Sequence, residues 1–179
     1  MDQQEIGTEF LKALNRYFTP VGVAVTVSAL ILVPNLPQKV FGACIFLTLA
    51  SLAFNMATAV YVIEHPASWK RVGYLRVVVN TGLNAATYFI LHSAWPVVWI
   101  LFALGPVAMA FYGDVGETFS VLGVSGLVMA GALLTQGITD PRLWGAMAVQ
   151  LLFMLLLSMF LIRVAALIRR EHGPVGRKA

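Results

Sequence analysis

Residues 40–63 read VFGACIFLTLASLAFNMATAVYVI, a run without a single charged side chain. A helix needs about 20 mostly apolar residues to cross the hydrocarbon core of a bilayer, and this run is long enough. Pro37 precedes it and Pro66 follows it closely, at positions where proline suits the first turn of a helix or the chain just past its end. The run therefore predicts a membrane-spanning helix.

Five further stretches have the same apolar character, and short loops separate them. The six predicted spans are residues 18–36, 40–63, 74–92, 95–112, 118–138 and 143–168. Because short loops force successive helices to pack as antiparallel neighbours, we predict an all-α fold, a polytopic membrane bundle of six transmembrane helices. Of the 179 residues, 59% are hydrophobic and 11% are charged, whereas a soluble domain is about 25% charged. The composition thus excludes an ordinary soluble protein.

The segment before the first span, residues 1–17, has apolar side chains at helical spacing, including Phe10 and Leu14. Its acids come first and its bases last, an order that suits the helix dipole. We expect a short amphipathic helix in the membrane interface; the alternative is an unstructured tail. The predicted organisation is an interfacial segment 1–17, a transmembrane domain 18–170 and a cytoplasmic tail 171–179.

The twelve lysines and arginines fall mostly on one side of the predicted bundle, which leaves Lys39 and Arg142 on the other. By the positive-inside rule both termini are cytoplasmic, and the expected location is a bacterial inner membrane. Because the basic residues mark helix ends, the net charge of +4 does not indicate nucleic-acid binding. The basic residues on the inner side are Lys12, Arg16, Lys70, Arg71, Arg76, Arg163, Arg169, Arg170, Arg177 and Lys178.

Polar side chains form stripes on the second and third spans at spacings of three and four residues. Because an amide without a partner is costly in lipid, these faces should turn inward. One interpretation is a polar cavity for a small ligand, with Asn55, Asn80 and Asn84 as ligand-facing candidates. The other is a set of hydrogen bonds that hold the helices together. The stripes are Thr48, Ser51, Asn55 and Thr58, and Asn80, Asn84 and Thr87.

No catalytic or cofactor constellation accompanies these stripes. The run Gly123-Val-Ser-Gly126 resembles the Gly-x-Ser-Gly motif of rhomboid proteases, in which Ser125 would be the nucleophile, but the sixth span has no histidine to take its proton. Small residues that let helices approach are the better interpretation. His65 and His92 fall at opposite ends of the predicted spans and Cys44 stands alone, so we expect no enzyme, no cofactor and no metal.

Residues 94–134 read AWPVVWILFALGPVAMAFYGDVGETFSVLGVSGLVMAGALL, and the last span ends in FLIRVAALIRREH. This pattern resembles the six-helix membrane sensor modules at the N-termini of bacterial histidine kinases and diguanylate cyclases. In those proteins the last helix continues into an effector domain. Here Gly173-Pro174 should stop the helix, and we expect no effector domain after it. The resemblance implies a sensor module that acts through other proteins.

Two functional hypotheses follow. The first is a non-catalytic regulatory or sensory membrane module that works through helix contacts with partner membrane proteins or a second copy of itself. In that case Arg163, Arg169 and Arg170 would contact anionic lipid or a partner. The second is an accessory structural subunit of a large membrane assembly, such as a respiratory or photosynthetic complex.

Overall fold

The computed structural model describes residues 3–171, with side-chain surroundings for residue 9 and residues 11–167. The described chain is all-α, which confirms the predicted fold class, and it contains six α-helices. Short 3-10 helices, Pro66–Ser68 and Pro96–Trp99, lead into the third and fourth. The α-helices are α1 Gln3–Leu32, α2 Gln38–Glu64, α3 Trp69–Leu91, α4 Ile100–Tyr112, α5 Val115–Thr135 and α6 Pro141–Glu171. The predicted tail after Glu171 and the side chains of Arg169 and Arg170 lie outside the described residues.

Four helical segments are long and apolar enough to cross a membrane: Leu11–Leu32, Gln38–Glu64, Val115–Thr135 and Pro141–Leu167. The segment Pro96–Tyr112 is apolar but shorter. The 23-residue α3 is not among the four, because it carries three basic residues and two asparagines. The structure thus supports several membrane-crossing helices.

The first helix differs from the predicted boundary at residue 17. Helix α1 runs without interruption through Pro20, a residue that membrane helices tolerate better than soluble ones. Leu11 and Leu14 are buried in a cluster with Val62 and Tyr112. From residue 11 onward, the segment before the predicted span therefore continues the helix and packs on the bundle.

Helices α3 and α4 lie at the centre of the described bundle. Helix α3 contacts α1, α2, α4 and α5, and α4 contacts α1, α3, α5 and α6, whereas α6 packs mainly on α4 and α5. Two apolar clusters fill the ends of the bundle. One surrounds Phe102 and Leu91, and the other surrounds Leu11 and Tyr112. Many large apolar side chains are exposed around the outside, as expected of helices whose solvent is lipid.

The start of α5 is fixed to α3 by a hydrogen-bonded cap. The Asp114 carboxylate accepts from the Glu117 backbone N–H at 2.8 Å, and Glu117 Oε2 accepts from the Asp114 N–H at 2.8 Å. This reciprocal capping box satisfies free N–H groups of the first turn. Glu117 Oε2 also accepts a hydrogen bond from the Tyr74 hydroxyl. The cap therefore holds α5 in register beside α3.

Candidate functional site

A cavity of about 100 Å³ lies among α1, α2, α3 and α4, between the two apolar clusters. Its walls are apolar where Leu47, Leu83, Leu101 and Leu104 face it. The remaining lining residues are partly apolar and partly polar, and none of those that the structure describes is acidic. The polar residues that line it include Thr19, Thr26, Thr48, Ser51, Asn55, Arg76, Asn80, Asn84 and Thr87.

The stripes of α2 and α3 meet along one wall of this cavity. The Asn80 Nδ2 group donates to Asn55 Oδ1 at 2.9 Å, and the Ser51 hydroxyl donates to Asn80 Oδ1 at 3.0 Å. The spacing of four residues between Ser51 and Asn55 places both on the same face of α2. The two stripes therefore join the helices by side-chain hydrogen bonds.

Arg76 is the charged centre of the site, with 5% of its surface exposed. Its Nε donates to Asn55 Oδ1 at 3.2 Å, and its Nη2 donates to Asn15 Oδ1 on α1. Its Nη1 is buried and has no hydrogen-bond partner. Among the described residues, the salt bridge found is Lys12–Glu9, which leaves Arg76 without a carboxylate partner. One buried positive charge with an open donor thus faces a wall of neutral side chains.

Helix α4 joins the site through a backbone group. The Asn84 Nδ2 group donates to the carbonyl oxygen of Leu101 at 2.8 Å. Together with Asn15 on α1 and Asn55 on α2, this bond makes α3 the common partner of three helices. A molecule in the cavity would therefore contact the groups that set the packing of all four.

Three of the four threonines that line the cavity donate their hydroxyl protons within their own helices. Thr48 donates to the Cys44 carbonyl at 2.7 Å, Thr26 to Gly22 at 3.2 Å and Thr87 to Leu83 at 2.9 Å. Each hydroxyl oxygen then acts toward the cavity as an acceptor. The positively charged donor of the site is Arg76.

The structure places the three predicted ligand-facing residues, Asn55, Asn80 and Asn84, on the wall of one cavity. It places Arg163 on an exposed part of α6, away from that cavity. Sequence reasoning counted Arg76 among the charges that orient the bundle and missed its central position. The signal was its place four residues before Asn80, on the same helical face. Asn15 was missed because it lies in the segment assigned to the interface.

The other residues with chemical potential lie apart from the cavity. Ser125 is buried, and its hydroxyl donates to the Val121 carbonyl of its own helix at 3.0 Å. Cys44 is buried in the apolar cluster around Phe102. Within residues whose side chains are described, no group of three His, Cys, Asp or Glu could hold a metal ion.

No protein-family model, curated protein or solved structure matches this chain. The functional argument therefore rests on the geometry of the cavity and on the charge of Arg76.

Proposed function

We propose that the chain is a non-catalytic regulatory or sensory module of a bacterial inner membrane, with six membrane-spanning helices and both termini cytoplasmic. The segment Pro96–Tyr112 and helix α3 supply the two spans beyond the four that are long and apolar by themselves. Helix α3 is stable at this position because its polar side chains face the bundle interior. The module acts through helix contacts with partner membrane proteins or a second copy of itself.

The observation that carries this proposal is the buried Arg76, whose Nη1 donor has no hydrogen-bond partner, on the wall of a cavity shared by four helices. Its partners Asn15 and Asn55 belong to α1 and α2, and Asn84 on the same helix bonds to α4. A ligand that binds one packing of these helices better than another shifts the population toward that packing. A polar cavity shared by four helices is suited to convert ligand binding into a change of helix packing.

Helix α4 provides the route from the cavity to the surface that partners contact. Leu101 and Leu104 line the cavity, and α4 also packs on α6. The opposite side of α6 exposes Leu152, Leu156 and Phe160. A partner that contacts this side of α6 would sense a shift of α4.

The test of the regulatory role is co-purification from native membranes in mild detergent, with mass spectrometry of the associated proteins. We expect Arg76→Gln to change the amount of a bound partner, while Arg71→Gln, an exposed arginine on the same helix, leaves it unchanged. Both variants must be recovered folded and in equal yield. Equal partner binding by the wild type and both variants contradicts the regulatory proposal.

The alternative is an accessory structural subunit of a larger membrane complex, and the exposed apolar side of α6 favours it. Such a subunit would co-purify at fixed ratio with its complex and with any pigment that the absorption spectrum of the eluate detects. Its binding would not depend on Arg76. The same preparation therefore separates the two functions.

The proposed orientation is tested by thiol labelling of intact cells. Native Cys44 is fully buried, so new cysteines can be followed in the wild-type background. Lys39→Cys should react with a membrane-impermeant maleimide from outside, and Arg71→Cys only after the cells are opened. The reverse pattern contradicts the orientation.

A further inference from the structure

The charge balance of the cavity is incomplete. Arg76 is buried, its Nη1 has no hydrogen-bond partner, and none of the described residues that line the cavity is acidic. A charge inside a membrane protein is stable when it pairs with an opposite charge or with polar groups. The described residues supply neutral oxygens from Asn15 and Asn55 but no negative charge. Among the described residues, Arg76 therefore has polar partners but no opposite charge.

A groove on the outside of the bundle leads to this point. It lies between α1 and α2, has a volume of about 570 Å³, and shares Thr19, Val23 and Asn55 with the cavity. One end is polar, at Asn15 and Asn55, and the other is apolar, toward Val27. From Thr19 to Val27 the groove follows about 12 Å of helix. Its polar end is next to Arg76, because Asn15 and Asn55 are the two residues that hold the guanidinium.

We propose that the site binds a monocarboxylate with an unbranched apolar chain, that is, a fatty acid taken from the lipid. The carboxylate pairs with Arg76, and the chain lies in the groove between α1 and α2. This proposal rests on the proposed sensory function and names its ligand class.

Three features select this ligand class. A single uncompensated positive charge calls for a single negative charge. A guanidinium favours planar oxyanions such as carboxylate, which it binds through paired N–H groups. The groove opens on the lipid-facing circumference of the bundle and is mostly apolar. An amphiphile can therefore enter it from the bilayer without crossing water.

The test is equilibrium binding of radiolabelled dodecanoate to the purified full-length chain in phosphatidylcholine nanodiscs, with empty nanodiscs as the blank. The buffer is alkaline enough to ionise the acid. We expect saturable binding of one dodecanoate per protein above the blank. Unlabelled dodecanoate should compete, and uncharged dodecanol and short-chain butyrate should compete poorly.

Two pairs of variants locate the ligand. Arg76→Gln should weaken binding by about 30-fold or more, because losing one member of a buried charge pair costs 2–5 kcal/mol and about 1.4 kcal/mol is tenfold; Arg71→Gln is its control. Ala24 is exposed and lines the groove. The tryptophan side chain of Ala24→Trp would occupy the groove, so this variant should abolish dodecanoate binding. Val21→Trp, an exposed residue of α1 outside the groove, should bind as the wild type does. Because Ala24 is on the surface, this pair keeps the test valid if Arg76→Gln does not fold.

If nanodiscs that contain the protein retain no more dodecanoate than empty nanodiscs do, the proposal is overturned. Equal dodecanoate binding by Ala24→Trp and the wild type also overturns it. Competition by dodecanol as strong as that by dodecanoate would show that charge plays no role. Strong competition by butyrate, together with normal binding to Ala24→Trp, would identify a small water-borne acid and overturn the groove as its binding site. A failure here leaves the Arg76-dependence of partner binding as the separate test of the sensory function.

Discussion

Helices α3 and α6 reverse the relation between polarity and burial that a soluble protein shows. The more polar helix, α3, packs inside the bundle, and the more apolar helix, α6, lies at its outside. Helix α3 is more polar than the four helices that qualify as membrane spans by composition, yet it contacts four other helices. Helix α6 contains the most apolar window of the four candidate spans, of which 11% is buried inside the structure. In lipid, an apolar helix face can remain on the outside, whereas polar side chains are stable when they face the interior and find hydrogen-bond partners there. The comparison teaches that the position of the polar side chains along α3, rather than its overall hydropathy, indicates which side of the helix faces the interior.

The largest expected effect comes from placing a charge on the exposed side of α6. Leu156 is 58% exposed, and an arginine at the centre of a lipid-facing helix costs about 3 kcal/mol of insertion free energy. We expect Leu156→Arg to lower the fraction of chains recovered in the membrane, while Leu156→Ala does not. Full insertion of the arginine variant would mean that this side of α6 does not face lipid.

The next largest effect is expected from adding a methyl group to a glycine of α3, and the same change at a glycine of α6 is its control. A Cβ added to Gly73 on α3 would lie 2.5 Å from Tyr112 Cδ1, whereas one added to Gly145 on α6 meets nothing within 4 Å. Overpacking of this kind costs about 1–3 kcal/mol, so Gly73→Ala should lower the free energy of unfolding. Gly145→Ala should raise it slightly, by about 0.5 kcal/mol, because alanine favours the helix. Unfolding by SDS in mild detergent measures both, and equal values would contradict the close approach of α3 to α4.

A smaller effect tests the hydrogen bonds around Arg76. Asn55 Oδ1 accepts from Arg76 and from Asn80, and each interhelical bond in a membrane protein is worth about 0.6 kcal/mol. Asn55→Leu should therefore destabilise the protein by about 1 kcal/mol in the same unfolding assay. Gln150→Leu on α6, outside the cavity, is the control and should not destabilise it. A stable Asn55→Leu variant would show that the cluster does not hold the helices together.

The smallest effect is expected where a polar side chain is buried but bonds only within its own helix. The Ser125 hydroxyl donates to Val121, just as Ser158 on α6 donates to Met154 at 2.7 Å. Ser125→Ala should change the free energy of unfolding by less than about 0.5 kcal/mol, and any activity should remain. A variant that is folded but inactive would instead support the likeness to rhomboid proteases.

The sequence predicted the helical elements well because long apolar runs and prolines mark them clearly. The exception is α1, where a boundary was predicted at residue 17, whereas the helix continues past that residue and through Pro20. Neighbouring helices make a proline inside a membrane helix tolerable. The facing stripes of α2 and α3 were predictable because helical spacing of three and four places residues on one side.

The centre of the site was not predictable in the same way. Arg76 follows the same spacing as Asn80 and Asn84, but a basic residue near the end of a span equally fits a role in orientation. Its partner Asn15 is 61 positions away in the chain. No periodicity within one helix predicts such a contact, because it depends on how α1 packs beside α3.

The measurement that tests the account most directly is disulfide cross-linking between α2 and α3. Ser51 and Asn80 are hydrogen-bonded at 3.0 Å across the cavity wall, so the double variant Ser51→Cys, Asn80→Cys should cross-link on mild oxidation. With a protease site inserted after Ala67, the two fragments stay together on a gel until a reductant is added. The pair Ser51→Cys, Leu152→Cys, which includes the exposed side of α6, should separate after cleavage. Separation of the first pair, or cross-linking of the second, would contradict a bundle in which the polar faces of α2 and α3 meet and this side of α6 faces outward.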